Sequence, residues 1–182
     1  MENIKYNIFD FFVYLIPGTV LLLFISLANS CSSCSNIPGA FKDIFEGMNA
    51  YGAAVLIAIA YCVGFIGNIL SSYLLKITEK LKPLPKPKHS QLPTSEKLAI
   101  IREKSKENFK YVEQWNALKK LSATLALIIL AISIMSKWVF NDFTFIHLGL
   151  GVFFSVILVL QAMKYDRWAL IDLDNAVKTL TP

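Results

Sequence analysis

The sequence predicts an all-α, polytopic integral membrane protein: four transmembrane helices with a basic helical loop between the second and third. Three observations carry this. Residues 11–41, 51–75, 121–136 and 143–163 contain no charged side chain, and a hydrocarbon core about 30 Å thick takes roughly 20 apolar residues of helix. The 182-residue chain is 55% hydrophobic, with a mean hydropathy of +0.52, well above an ordinary soluble domain. Finally, 12 of the 18 Lys and Arg fall within 76–120, against five Glu. A soluble bundle of unusually apolar helices is the competing class; four separate stretches at membrane-spanning length weigh against it. The spans use nearly half the chain, which leaves little for a second globular domain.

The first span is placed at about 8–28. Beyond Ala28 the chain turns small and polar (Asn29, Ser30, Cys31, Ser32, Ser33), which ends the helix. A cleaved signal peptide competes, since Ala28-Asn29-Ser30 loosely resembles a cleavage site and Cys31 a lipoprotein site. The leading segment offers only Lys5, offset by Glu2 and Asp10, so a retained span is preferred. Pro17-Gly18 within this span predicts a kink, because proline removes a backbone hydrogen bond. The freed carbonyl needs a protein neighbour in lipid, so the site should face another helix. Asp10 sits at the mouth of the span. It is read as an interfacial carboxylate favoured by the helix dipole, with a basic partner on another helix as the alternative.

In the outer loop 29–50, Phe41, Ile44, Phe45 and Met48 follow i, i+3, i+4, i+7 spacing. That predicts a short helix lying flat on the outer leaflet, in preference to a re-entrant pore segment. The second span, 51–75, carries the clearest packing face: Ala60, Gly64, Asn68 and Ser72 recur every four residues, with Gly67 and Ser71 beside them. Small residues let backbones approach, and Asn and Ser can bond across the contact. Structural glue within one protomer is preferred for Asn68, the most polar residue deep in any span; a pore or a subunit interface is the alternative. Cys62 is read as a small packing residue.

The basic loop and helix 76–120 open with Lys82-Pro83-Leu84-Pro85-Lys86-Pro87-Lys88, which predicts a stiff polyproline II spacer. Pro93-Thr94-Ser95-Glu96 then reads as a helix start. That helix is expected to run from about Ser95 through Trp115 into span three, with Phe109, Tyr111, Val112 and Trp115 as an aromatic, membrane-facing edge. Basic residues interleaved with aromatics also occur in RNA-binding segments. A juxtamembrane basic run is first an anionic-lipid contact and topology signal, so direct nucleic-acid binding is disfavoured. By the positive-inside rule this loop is cytoplasmic, and with four spans both termini are cytoplasmic too.

Residues 121–164 form the second transmembrane hairpin. Its first helix is short, but Lys119, Lys120 and Lys137 can snorkel to the two interfaces. Its second repeats the small-residue pattern more weakly at His147, Gly151, Ser155 and Ala162. His147, near the outer end, is read as a hydrogen-bonding residue; with His89 the only other histidine, no metal site can be assembled. Tyr165-Asp166-Arg167-Trp168 marks the inner interface. In the amphipathic tail 165–182, Leu170, Leu173, Val177 and Leu180 fall at a/d spacing. Two heptads are too short to stand alone, so this stripe should pack on the 95–118 helix or on a neighbouring subunit.

No P-loop, G-x-G-x-x-G, nucleophile elbow or zinc motif is present, and no cofactor is implied. Asp172 and Asp174, at i, i+2, point to different helix faces and are poor acid/base partners. Cys31 and Cys34 form the one reactive constellation, a C-x-x-C on the predicted outer side. It resembles the first-loop pair of the four-helix quinone-linked thiol oxidases that recharge periplasmic disulfide donors. The second outer loop, 137–142, lacks the second cysteine pair those enzymes need, so relay through two thiol pairs is impossible. A structural disulfide or two free thiols is preferred.

Phe9-Asp10-Phe11-Phe12-Val13-Tyr14-Leu15-Ile16-Pro17-Gly18 resembles the opening of a group of small four-span bacterial membrane proteins. The likeness continues at Tyr61-Cys62-Val63-Gly64 and returns at Trp115-Asn116, Tyr165 and Arg167. Similar proteins are encoded beside anti-phage systems, including the membrane accessories of type VI-B CRISPR loci. The resemblance implies a membrane effector or modulator in immunity. Together these readings predict a non-enzymatic, self-associating protein of the bacterial inner membrane. It would perturb or gate the membrane, or scaffold a cytoplasmic partner through 76–120 and 165–182. The alternatives are a thiol-disulfide oxidoreductase using Cys31 and Cys34, and a small transporter, which is disfavoured because no span carries a charge at its centre. Homo-oligomers are expected along span two, or along span four with the tail.

Overall fold

The computed structural model describes residues 2–30, 39, 42, 46, 48–81, 92–140 and 143–180. Over these the chain forms α1 (Glu2–Ser30), α2 (Ala50–Leu81), α3 (Thr94–Lys104), α4 (Lys106–Val139) and α5 (Phe145–Leu180). Four of them, α1, α2, α4 and α5, are long and apolar enough to cross a membrane, which makes this a multi-pass membrane protein.

The helix α1 runs through Pro17, which is buried with Gly18 against α2. The expectation that this site faces protein therefore holds. Pro93 precedes α3 at φ −58° and ψ 149°, and the missing N–H of proline costs nothing at a helix start. One expectation fails here: the helix from Ser95 is not continuous with span three. It stops at Ser105, whose extended backbone (φ −150°, ψ 92°) closes α3 and opens α4. Its N–H reaches the Ile101 carbonyl at 2.8 Å, and its hydroxyl accepts the Asn108 N–H at 3.5 Å, a side-chain N-cap. The reason is burial. A straight rod would leave the Ile101 face in water, whereas the break folds α3 back and makes Ile101 fully buried.

From Lys106, α4 runs 34 residues without interruption and α5 runs 36. At 1.5 Å per residue each is about 50 Å long, roughly 20 Å more than the hydrocarbon core. Both project from the bundle at the end that carries the basic residues.

The hub of the bundle is α4, which packs against every other helix. A third of its most apolar window is buried, against 11% for α2. Adjacent long helices run antiparallel: Gly18 meets Ala60 and Tyr14 meets Gly64 between α1 and α2, while Ser71 meets Thr124 between α2 and α4. At the same end Leu75, Ala123 and Ala162 form a small core joining α2, α4 and α5. Outward faces of α2 and α5 are apolar and exposed, with Ile57, Phe65 and Ile66 on one and Phe153, Phe154 and Leu160 on the other. Such surface would aggregate in water and is the expected solvent face in lipid.

Candidate functional site

Residues 94–120 and 164–180 build a packed three-helix stalk on the end of the bundle. Its core is Ile101, Val112, Ala169, Leu173, Ala176 and Val177, with Leu98, Phe109, Trp115 and Leu180 packed around it. Two expectations are decided here. The tail stripe packs within the chain, on α3 and the first turns of α4: Leu173 and Val177 are buried, Leu180 lies against them, and Leu170 is half-buried. Of the expected membrane-facing edge, Phe109, Val112 and Trp115 are turned inward against this core, and only Tyr111 is exposed.

Three aspartates of α5 tie the stalk together. Lys97 Nζ lies 2.5 Å from Asp174 Oδ1, with side chains 10% and 4% exposed. Asp174 Oδ2 is buried without a hydrogen-bond partner, so Lys97 is the neutralising contact for that carboxylate. Asp172 Oδ2 accepts the Trp115 indole N–H at 2.7 Å. Lys119 Nζ lies 2.5 Å from Asp166 Oδ1. Asp172 and Asp174 do point to different faces, and each is anchored on a different helix. At the far end of the stalk, the Lys104 ammonium donates to the Leu180 carbonyl at 3.2 Å, a cation at a helix C-terminus as the dipole favours. The sequence reading missed these pairings. Three acids in nine residues after an apolar span were the available signal, but the partner of Asp174 depends on the turn at Ser105, and those of Asp166 and Asp172 on how α4 and α5 pair.

Where the stalk meets the spans, Trp115 stacks on Tyr165 at 5.8 Å and meets Trp168 edge-on at 4.9 Å. Tyr165 and Trp168 lie 5.9 Å apart. Lys164 Nζ sits 4.6 Å from the Trp168 ring centroid. Amphipathic aromatics of this kind concentrate at membrane–water interfaces. On one side of the stalk an open cleft of about 440 Å³ lies between Asn108 and Tyr111 of α4 and Asp172, Asn175, Ala176 and Thr179 of α5.

Most of the small residues singled out in the spans pack inside the protomer, while Ser72 is exposed. A Cβ on Gly18 would fall 1.7 Å from the Ala60 carbonyl oxygen, and one on Gly64 would fall 1.8 Å from that of Tyr14. Gly67 faces the Thr124 methyl and Gly151 faces Ser133. The Ser71 and Thr124 hydroxyls lie 3.2 Å apart, and Ser155 donates to the Ala126 carbonyl at 3.0 Å. Ser71 and Ser72 donate to the Asn68 carbonyl in their own helix. The Asn68 side-chain oxygen is buried without a hydrogen-bond partner. Cys62 is exposed on α2, which corrects its reading as a packing residue: its position on the helix turns it outward. His147 Nδ1 lies 2.8 Å from the Thr144 hydroxyl and accepts the Thr144 N–H at 3.1 Å, the hydrogen-bonding role expected of it. Cys31 and Cys34, the polyproline spacer, and Phe41, Ile44 and Phe45 of the outer loop lie outside the described residues. Among the described residues no cluster of three His, Cys, Asp or Glu has metal-site geometry.

No protein-family model, curated protein or solved structure matches this chain.

Proposed function

We propose that this chain is a non-enzymatic scaffold of the bacterial inner membrane, with both termini and the stalk in the cytoplasm, that holds a soluble partner at the bilayer. The observation that carries the reading is mechanical continuity. Both α4 and α5 pass unbroken from the spans into a stalk closed by a buried ion pair and an aromatic knot. A partner bound on the stalk is thereby rigidly linked to helices in lipid. Scaffolding is preferred to conduction through one protomer because the hydroxyls of Ser71, Thr124, Ser133 and Ser155 are engaged with one another or with helix carbonyls. The spans carry no charged side chain between 121 and 136 or between 143 and 163, so no relay of ionisable groups crosses that hairpin.

Self-association belongs to the same proposal, on the outward face of α2, where Ile57 and Ile66 are exposed, since Gly64, Gly151 and the tail stripe have partners inside the protomer. The setting in anti-phage defence rests on the resemblance of the Phe9–Gly18 segment and its companions alone. Orientation is tested by reporter fusions, with those after Lys88 and at Pro182 expected inside and one after Ala40 outside. Function is tested by phage plating on cells carrying the gene with its native neighbours, with and without this gene. Loss of protection on its removal is expected, and unchanged plating rejects the defence role.

A further inference from the structure

We infer that the outward face of α5 is a binding site for an anionic phospholipid, with its phosphate held by Lys164 and Arg167 and an acyl chain laid along Leu160, Ile157 and Phe153. This rests on the membrane assignment of the spans and not on scaffolding or defence.

The five positions 153, 157, 160, 164 and 167 are spaced 4, 3, 4 and 3, so they form one stripe on an α-helix. All five are exposed. The stripe changes character once, between Leu160 and Lys164, from apolar to cationic. From Phe153 to Lys164 is 11 residues of unbroken helix, about 16 Å at 1.5 Å per residue, close to half the roughly 30 Å hydrocarbon core. An acyl chain of one leaflet thus runs beside the apolar part while its phosphate reaches the cations.

The cations are free to act. Lys119 is the partner of Asp166, the one acid in this turn, and among the described residues neither Lys164 nor Arg167 pairs with a carboxylate. Lys164 is instead placed over the Trp168 ring, at the aromatic layer where a headgroup lies. The Arg167 guanidinium presents a planar fork that matches phosphate oxygens. A zwitterionic headgroup carries its own ammonium beside the phosphate and gains less from this pair, so the fit is to net negative lipids.

The test is native mass spectrometry of the full chain released from mixed micelles holding equal phosphatidylglycerol and phosphatidylcholine. Wild type should retain phosphatidylglycerol preferentially. Lys164→Gln with Arg167→Gln should lower that preference by ten-fold or more, since each interfacial cation is worth about five-fold. Lys164→Arg with Arg167→Lys should keep it, which separates charge from misfolding. Lys106→Gln with Lys178→Gln, which removes two exposed cations nearer the far end of the stalk, should leave it unchanged. Equal retention of both lipids by wild type, or an equal fall in the control pair, overturns the site. So does displacement of the lipid by millimolar inorganic phosphate, which would make free phosphate the ligand.

Discussion

Gly64→Ala adds one methyl group where the structure has no room for it. Its Cβ would lie 1.8 Å from the Tyr14 carbonyl oxygen, while ordinary contact begins near 3.4 Å. The obstacle is backbone, so no rotamer change relieves it; α1 and α2 must separate by about 1.6 Å or slide. A radial gap of even 0.5–1 Å forfeits a quarter to a half of each contact's dispersion energy. The hairpin's aromatic contacts, Tyr14 with Tyr61 at 5.4 Å and with Phe65 at 5.5 Å, sit at this level. Overpacking of this kind costs about 1–3 kcal/mol. Gly18→Ala meets the Ala60 carbonyl in the same way, so the two changes should couple. Once one methyl has parted the helices, the second finds space, and the double variant should lose less than the sum. The assay is reversible unfolding in mixed micelles, with Gly149→Ala as reference because nothing lies within 4 Å of that position. Equal midpoints for Gly64→Ala and Gly149→Ala would refute the close approach. A change in oligomer mass without a change in unfolding would assign Gly64 to a contact between subunits instead.

Two further outcomes follow from the stalk and the thiols. Lys97→Met strands the Asp174 carboxylate in the stalk core and should cost about 3–5 kcal/mol, whereas Lys97→Met with Asp174→Leu should recover most of it; limited proteolysis between α3 and α4 reads both, and equal sensitivity of the single and double variants would contradict the buried pairing. Cys31→Ser with Cys34→Ser should leave activity in the plating assay intact, and its loss together with quinone-dependent thiol oxidation would favour the redox alternative.

How much of this was legible in the sequence depends on the range of the forces involved. Four spans, their approximate limits and the helix start at Pro93 are set by local properties: a run of apolar residues as long as a bilayer is thick, and a proline with a preset φ. Amphipathic spacing likewise marked Leu173 and Val177 as a buried stripe, and the small residues of span two as a packing face. What covers those faces is a different kind of question, because periodicity states that a face is buried and not by what. Only the tertiary structure assigned Gly64 to Tyr14, and the tail to α3 and α4. It did so because Ser105 adopts an extended backbone that brings α3 back onto α5 and places Lys97 against Asp174. A serine between Lys104 and Lys106 fits a continuous helix as well as a cap. The choice between them is made by the burial of Ile101, an energy that exists only after distant segments have met.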